Sequence, residues 1–126
     1  MMEQVRMEEG AGLTTIVMLL ASSPGQPMGN LADRLELRAR LTSQGRLDAA
    51  EFGAVAWSTG RSLPDGRLFN GELVRSDAGW ALRGLAGDDA PLWDFEGQVF
   101  RPGEYVTLRR PNGETLVYRI VDVRAA

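Results

Sequence analysis

The sequence predicts an α+β domain: an N-terminal helical hairpin followed by a five-stranded, curved antiparallel sheet or small OB- or SH3-like barrel. Three observations carry this expectation. Between Leu68 and Arg124, five short runs rich in β-branched and aromatic residues alternate with turn residues. Ahead of them, Asn30–Gly45 and Asp48–Thr59 each open on a residue suited to cap a helix. The chain has 126 residues, 44% hydrophobic and 25% charged, which suits one domain around one core.

Residues 1–29 read as a weakly ordered or loosely docked segment, and residues 30–126 as the single domain. The first dozen residues carry Glu3, Glu8 and Glu9 against Arg6. Leu13–Ala21 (LTTIVMLLA) is a mostly apolar run, too short for the roughly 20 residues of a helical membrane span. As a signal peptide it has the wrong flank, because the preceding residues are acidic where a basic region belongs. Ser22–Gly29 is loop chemistry, and Met28 is a plausible start for the folded chain. A short strand or helix packed on the body is the alternative for Leu13–Ala21.

Asn30–Gly45 is the first expected helix, capped by Asn30 and ended by Gly45, with Leu31, Ala32, Leu35 and Ala39 on one face. Asp48–Thr59 is the second. Asp48 and Glu51 have capping-box spacing, Leu47 is placed to staple onto Phe52, and Phe52, Val55 and Ala56 form the inward face beside Trp57. Arg61–Gly66 is a turn built on Pro64-Asp65-Gly66.

The five strands are Leu68–Arg75, Trp80–Leu85, Leu92–Glu96, Tyr105–Arg110 and Thr115–Arg124. Pro111-Asn112-Gly113 is the clearest hairpin signal, and Ser76–Gly79 closes the first pair. Gly71, Gly84 and Gly97 fall where sharp curvature is needed. Alternation sends Val106 and Leu108 inward and Tyr105, Thr107 and Arg109 outward, and Tyr118 and Ile120 belong to the core.

Phe100–Pro111 (FRPGEYVTLRRP) resembles the pattern F-x-P-G-Q-Y-V-x-L with which ferredoxin-reductase-type flavoproteins lead into a barrel strand. The resemblance covers about a dozen residues of generic turn-and-strand chemistry. Glu104 stands in place of the family's Gln, and Tyr118-Arg119 reverses the order of its flavin-contacting R-x-Y-S/T strand. Flavin binding is therefore not carried over, and no cofactor is expected.

The residues that are missing narrow the chemistry. There is no Cys, no His and no Lys; all 14 basic residues are Arg. Thiolate and imidazole catalysis, their metal sites and Schiff-base chemistry are excluded. The Arg-only usage reads as coding bias, or as selection for bidentate anion contacts. Asp88, Asp89, Asp94 and Glu96 form an acidic cluster that reads as a solvated loop and an outward pleat rather than an ion site. Aromatic residues and Arg are enriched at contact surfaces. Arg83, Tyr105 and Arg109, on the outward pleat, are therefore the candidate binding residues. The expected function is a non-catalytic binding or assembly module acting through a barrel face or the helical hairpin. Its partner would be another protein or a second copy. A single-stranded nucleic-acid platform is the alternative, disfavoured by a net charge of -3, and a small carboxylate-based enzyme is a third. The chain is expected to be cytoplasmic, with no membrane span.

Overall fold

A computed structural model describes residues 13–53, 57–76, 79–85 and 92–125. They form eight antiparallel strands: β1 (Leu13–Ser22), β2 (Asn30–Arg40), β3 (Ser58–Ser62), β4 (Leu68–Ser76), β5 (Gly79–Arg83), β6 (Leu92–Glu96), β7 (Tyr105–Arg109) and β8 (Thr115–Ala125). Each strand pairs with its neighbour in sequence, and β1 pairs with β8 to close the barrel. Inward residues of every strand meet on the axis. Ile16, Met18, Leu35, Leu37, Leu82, Val106, Leu108, Tyr118 and Ile120 are all buried there. Eight strands leave an interior just wide enough for side chains to fill.

The small barrel is therefore present, but the expected helical hairpin is not. No α-helix exists among the described residues; a single 3-10 turn, Ala49–Glu51, stands where the second helix was expected. Asn30–Arg40 is β2. Its residues are good helix formers, yet Asp33, Leu35, Leu37 and Ala39 alternate strictly with Arg34, Glu36, Arg38 and Arg40. That period of two buries one whole pleat between β1 and β3, and packing outweighs intrinsic propensity. Leu31, expected on the helix's inner face, is exposed. Asp48 makes no capping hydrogen bond through its side chain. Ala54–Ala56, the centre of that expected helix, lie outside the described residues, as do residues 1–12, Asp77 and Ala78 of the expected first hairpin closure, and Asp88 and Asp89 of the expected acidic cluster. Among the described residues no helix is long and apolar enough to cross a membrane.

Leu13–Ser22, expected to dock loosely, is β1. It is hydrogen-bonded along both edges and buried on both pleats from Thr15 to Met18. An apolar run without alternation is what a strand covered on both faces requires. The five later strands follow the expected runs closely, and the count becomes eight. Pro111-Asn112-Gly113 makes the expected hairpin: Gly113 N–H donates to the Arg110 carbonyl at 2.9 Å, with Gly113 at φ +92°. At Gly71 the wall bends so tightly that a Cβ would land on the Arg83 carbonyl.

The two ends of the barrel differ. At one end the chain from Leu41 to Phe52 folds back as a plug. Leu41, Leu47 and Phe52 pack against the core, and Phe100 N–H from the β6–β7 connection donates to the Gly45 carbonyl at 2.8 Å. The other end is bounded by the turns at Ser23–Gly29, Leu63–Arg67 and Arg110–Glu114, and it is polar.

Candidate functional site

The polar end is built from inward positions of three strands. Alternation along β2 makes Asp33 the last member of the pleat that carries Leu35, Leu37 and Ala39. Alternation along β3 places Arg61 in line with Thr59, and along β8 it places Tyr118 in line with Ile120. The three meet on the barrel axis. Arg61 Nη2 donates to Asp33 Oδ2 at 2.9 Å and Arg61 Nε to Asp33 Oδ1 at 3.2 Å. The Tyr118 hydroxyl donates to Asp33 Oδ1 at 2.8 Å and accepts from Arg61 Nε at 3.0 Å. Asp33 is 2% exposed, Arg61 7% and Tyr118 0%.

Charge and burial oppose each other in this network. Burial disfavours the Arg61 charge, but the hydrogen bond and negative charge of Asp33 outweigh it and hold the guanidinium above its usual pKa. Burial pushes the Tyr118 phenol well above its usual value, against the pull of Arg61, so its proton stays in place and is given to Asp33. Above the network opens a cavity of about 350 Å³, lined by Ser23, Gln26, Asp33, Arg61, Arg110 and Glu114 among others. Trp93, buried on β6, lies beneath two guanidiniums: the central carbon of Arg61 is 5.4 Å from its ring centre and that of Arg110 is 5.0 Å.

No protein-family model, curated protein or solved structure matches this chain.

The candidate residues from the sequence lie elsewhere. Arg83, Tyr105 and Arg109 all project outward, as the alternation requires, but they do not form one cluster. Arg83 ends β5 on the polar side and pairs with Glu72 of β4. Arg109 lies across from Asp94 on β6. Tyr105, 58% exposed, begins β7 at the plugged end. There it borders a shallow groove of about 600 Å³ with Trp80, Glu96 and Glu104. A further groove of about 380 Å³ runs over the outside of β2–β4 past Glu36, Arg38 and Asn70. Among the described residues no group of three or more acidic side chains is placed to hold a metal.

Sequence reasoning missed Asp33 and Arg61. Asp33 was read as part of a helix and Arg61 as the first residue of a turn. A signal was present: once Asn30–Arg40 is read with a period of two, a carboxylate falls on the apolar pleat. A charge there demands a buried partner.

Proposed function

We propose that the chain is a non-catalytic binding module that receives a small polar molecule at the open, polar mouth of its barrel. One observation carries this reading: the buried Asp33–Arg61–Tyr118 network lies directly under a cavity at one end of an otherwise apolar core. A buried ion pair is a poor route to stability, because apolar residues of similar volume are often as good or better. Its position at the cavity floor supports a role in recognition, where a few fixed polar groups orient a ligand in a concave site.

The same geometry argues against catalysis. Asp33 is almost fully covered and already accepts three hydrogen bonds, so little of its carboxylate faces a reactant. Tyr118 holds its proton too tightly to act as an acid or base near neutral pH. The nucleic-acid alternative gains little, since the outward pleat of β6 and the start of β7 set Asp94, Glu96 and Glu104 among Tyr105 and Arg109.

The test is retention of small molecules. The tag-free protein is incubated with extract from its own cells, desalted and analysed by native mass spectrometry. The parent retains a small ligand. The triple variant Asp33→Leu, Arg61→Met, Tyr118→Phe, which replaces the network with apolar groups, folds but retains none. Equal retention by a folded triple variant, or none by the parent, overturns the reading. Should the triple variant fail to fold, Tyr118→Phe alone keeps the test, since it removes one donor to Asp33 with little change of shape.

A further inference from the structure

At the rim of the mouth, Arg110 has hydrogen-bonding capacity that the protein does not use. Its Nη1 donates to Glu114 Oε1 at 3.2 Å, while its Nε is buried with no acceptor. The side chain as a whole is partly exposed, and it lines the cavity. Arg61, the other guanidinium over Trp93, bonds through Nε and Nη2 and leaves Nη1 out of its network. Two guanidiniums thus flank one indole at the cavity wall, each with N–H groups to spare. Asp33 is fully committed to Arg61 and Tyr118. Glu114 is not committed in that way: its pair with Arg110 is partly exposed and closes a hairpin turn, so it is weak.

We propose that the part of the ligand meeting Arg110 is an anionic oxygen group, a carboxylate or a phosphate, an inference that rests on the mouth being the binding site. The anion meets the partly exposed guanidinium of Arg110 where it lines the cavity, and displaces Glu114 from it. Asp33, Arg61, Arg110 and Glu114 together are neutral, so a bound anion is accommodated as the Glu114 carboxylate turns from Arg110 toward solvent. A guanidinium suits this role better than an ammonium, because its planar fork meets two oxygens at once.

The experiment is calorimetric titration of the full chain with benzoate, with its neutral counterpart benzamide and with inorganic phosphate, at constant ionic strength. One of the two anions binds at least about tenfold more tightly than benzamide, as expected for a hydrogen bond to a charged group. Which anion binds better assigns the group as carboxylate or phosphate. Arg110→Gln abolishes the preference. Glu114→Gln removes the competitor and tightens anion binding about two- to fivefold, the worth of an exposed pair. A purely structural Arg110–Glu114 pair would give no such opposite signs. Binding of both benzoate and phosphate no tighter than that of benzamide, unchanged by Arg110→Gln, overturns the anion inference and leaves the mouth as the binding site. Absence of binding by both anions, or weaker binding in Glu114→Gln, also overturns it. The mouth itself is judged separately, by retention from the extract.

Discussion

The two ends of this barrel solve the same problem with opposite chemistry. Each must close off a column of apolar side chains. At the plugged end, Phe52, Trp57 and Trp80 do so by ring packing. Phe52 meets both indoles edge-on at 5.1 Å, and the indoles stack at 5.7 Å. Arg75 lies over Trp80, with its central carbon 4.4 Å from the ring. At the mouth, the column ends instead in a carboxylate, a guanidinium and a phenol. Among the described residues each end also holds one buried side-chain N–H without an acceptor: Trp57 Nε1 and Arg110 Nε. Trp57 borders none of the cavities described above, whereas Arg110 borders the mouth. The aromatic end is closed chiefly by ring area and shape. The polar end depends on every partner being present, and its buried polar groups line a cavity.

The contrast can be broken outright by removing the wall that both ends share. A chain beginning at Met28 lacks β1, and with it Ile16, Met18 and Leu20 from the core. Thermal melts of that chain lose their cooperative transition, the largest effect expected here.

Single substitutions then separate the ends. Asp33→Leu strands the Arg61 charge and costs about 3–5 kcal/mol in denaturant melts. The triple apolar variant recovers that loss, because no polar group is left unpaired. Phe52→Ala costs about 2–4 kcal/mol, somewhat below the range for a fully buried ring, and no polar substitution nearby restores it. Recovery at the plugged end, or its absence at the mouth, would erase the distinction.

The smallest effect is confined to alkaline solution. Tyr118 keeps its proton in the folded protein at pH values where the unfolded chain has lost it. Above the usual tyrosine pKa of about 10 the unfolded state binds fewer protons than the folded state, so stability falls as pH rises from there. Below that pH the contribution is fully present. Tyr118→Phe should flatten this alkaline limb. An alkaline limb of the same steepness in the variant would show that Tyr118 is not its source.

The second half of the barrel was legible because its strands carry their own local signals. Leu92–Glu96 alternates cleanly, and Asn112-Gly113 marks a hairpin with no help from the rest of the molecule. The first half was not, for two reasons. In Asn30–Arg40 the leucines, alanine, arginines and glutamate favour helix, and Leu31, Leu35 and Ala39 fit a helical stripe as well as the inward set fits a strand. Only the neighbours β1 and β3, distant in sequence, decide between the two. The mouth followed the same logic. Tyr118 was expected in the core and is there, but its hydroxyl partners come from β2 and β3, which were not recognised as strands. The sequence puts Arg110 at the end of a strand and gives Glu114 no role; in the structure the two flank the hairpin turn. Their closeness to the mouth depends on where that turn sits on a closed barrel.

Closure of the barrel by β1 and β8 also governs how the chain reaches this state. The other seven pairings join strands adjacent in sequence and zip up as local hairpins. The eighth sets Thr14 opposite Ala125, nearly the whole described chain apart. Bringing those ends together carries the largest loop-closure entropy in the fold, so it belongs late in folding. Until then β1 and β8 each present a bare edge of unpaired N–H and C=O groups. At high concentration those edges pair equally well with the matching strand of a second molecule. Two chains that exchange β1 would each complete the other's barrel with every native contact preserved, and a swapped dimer of this kind is the characteristic misassembly of the topology.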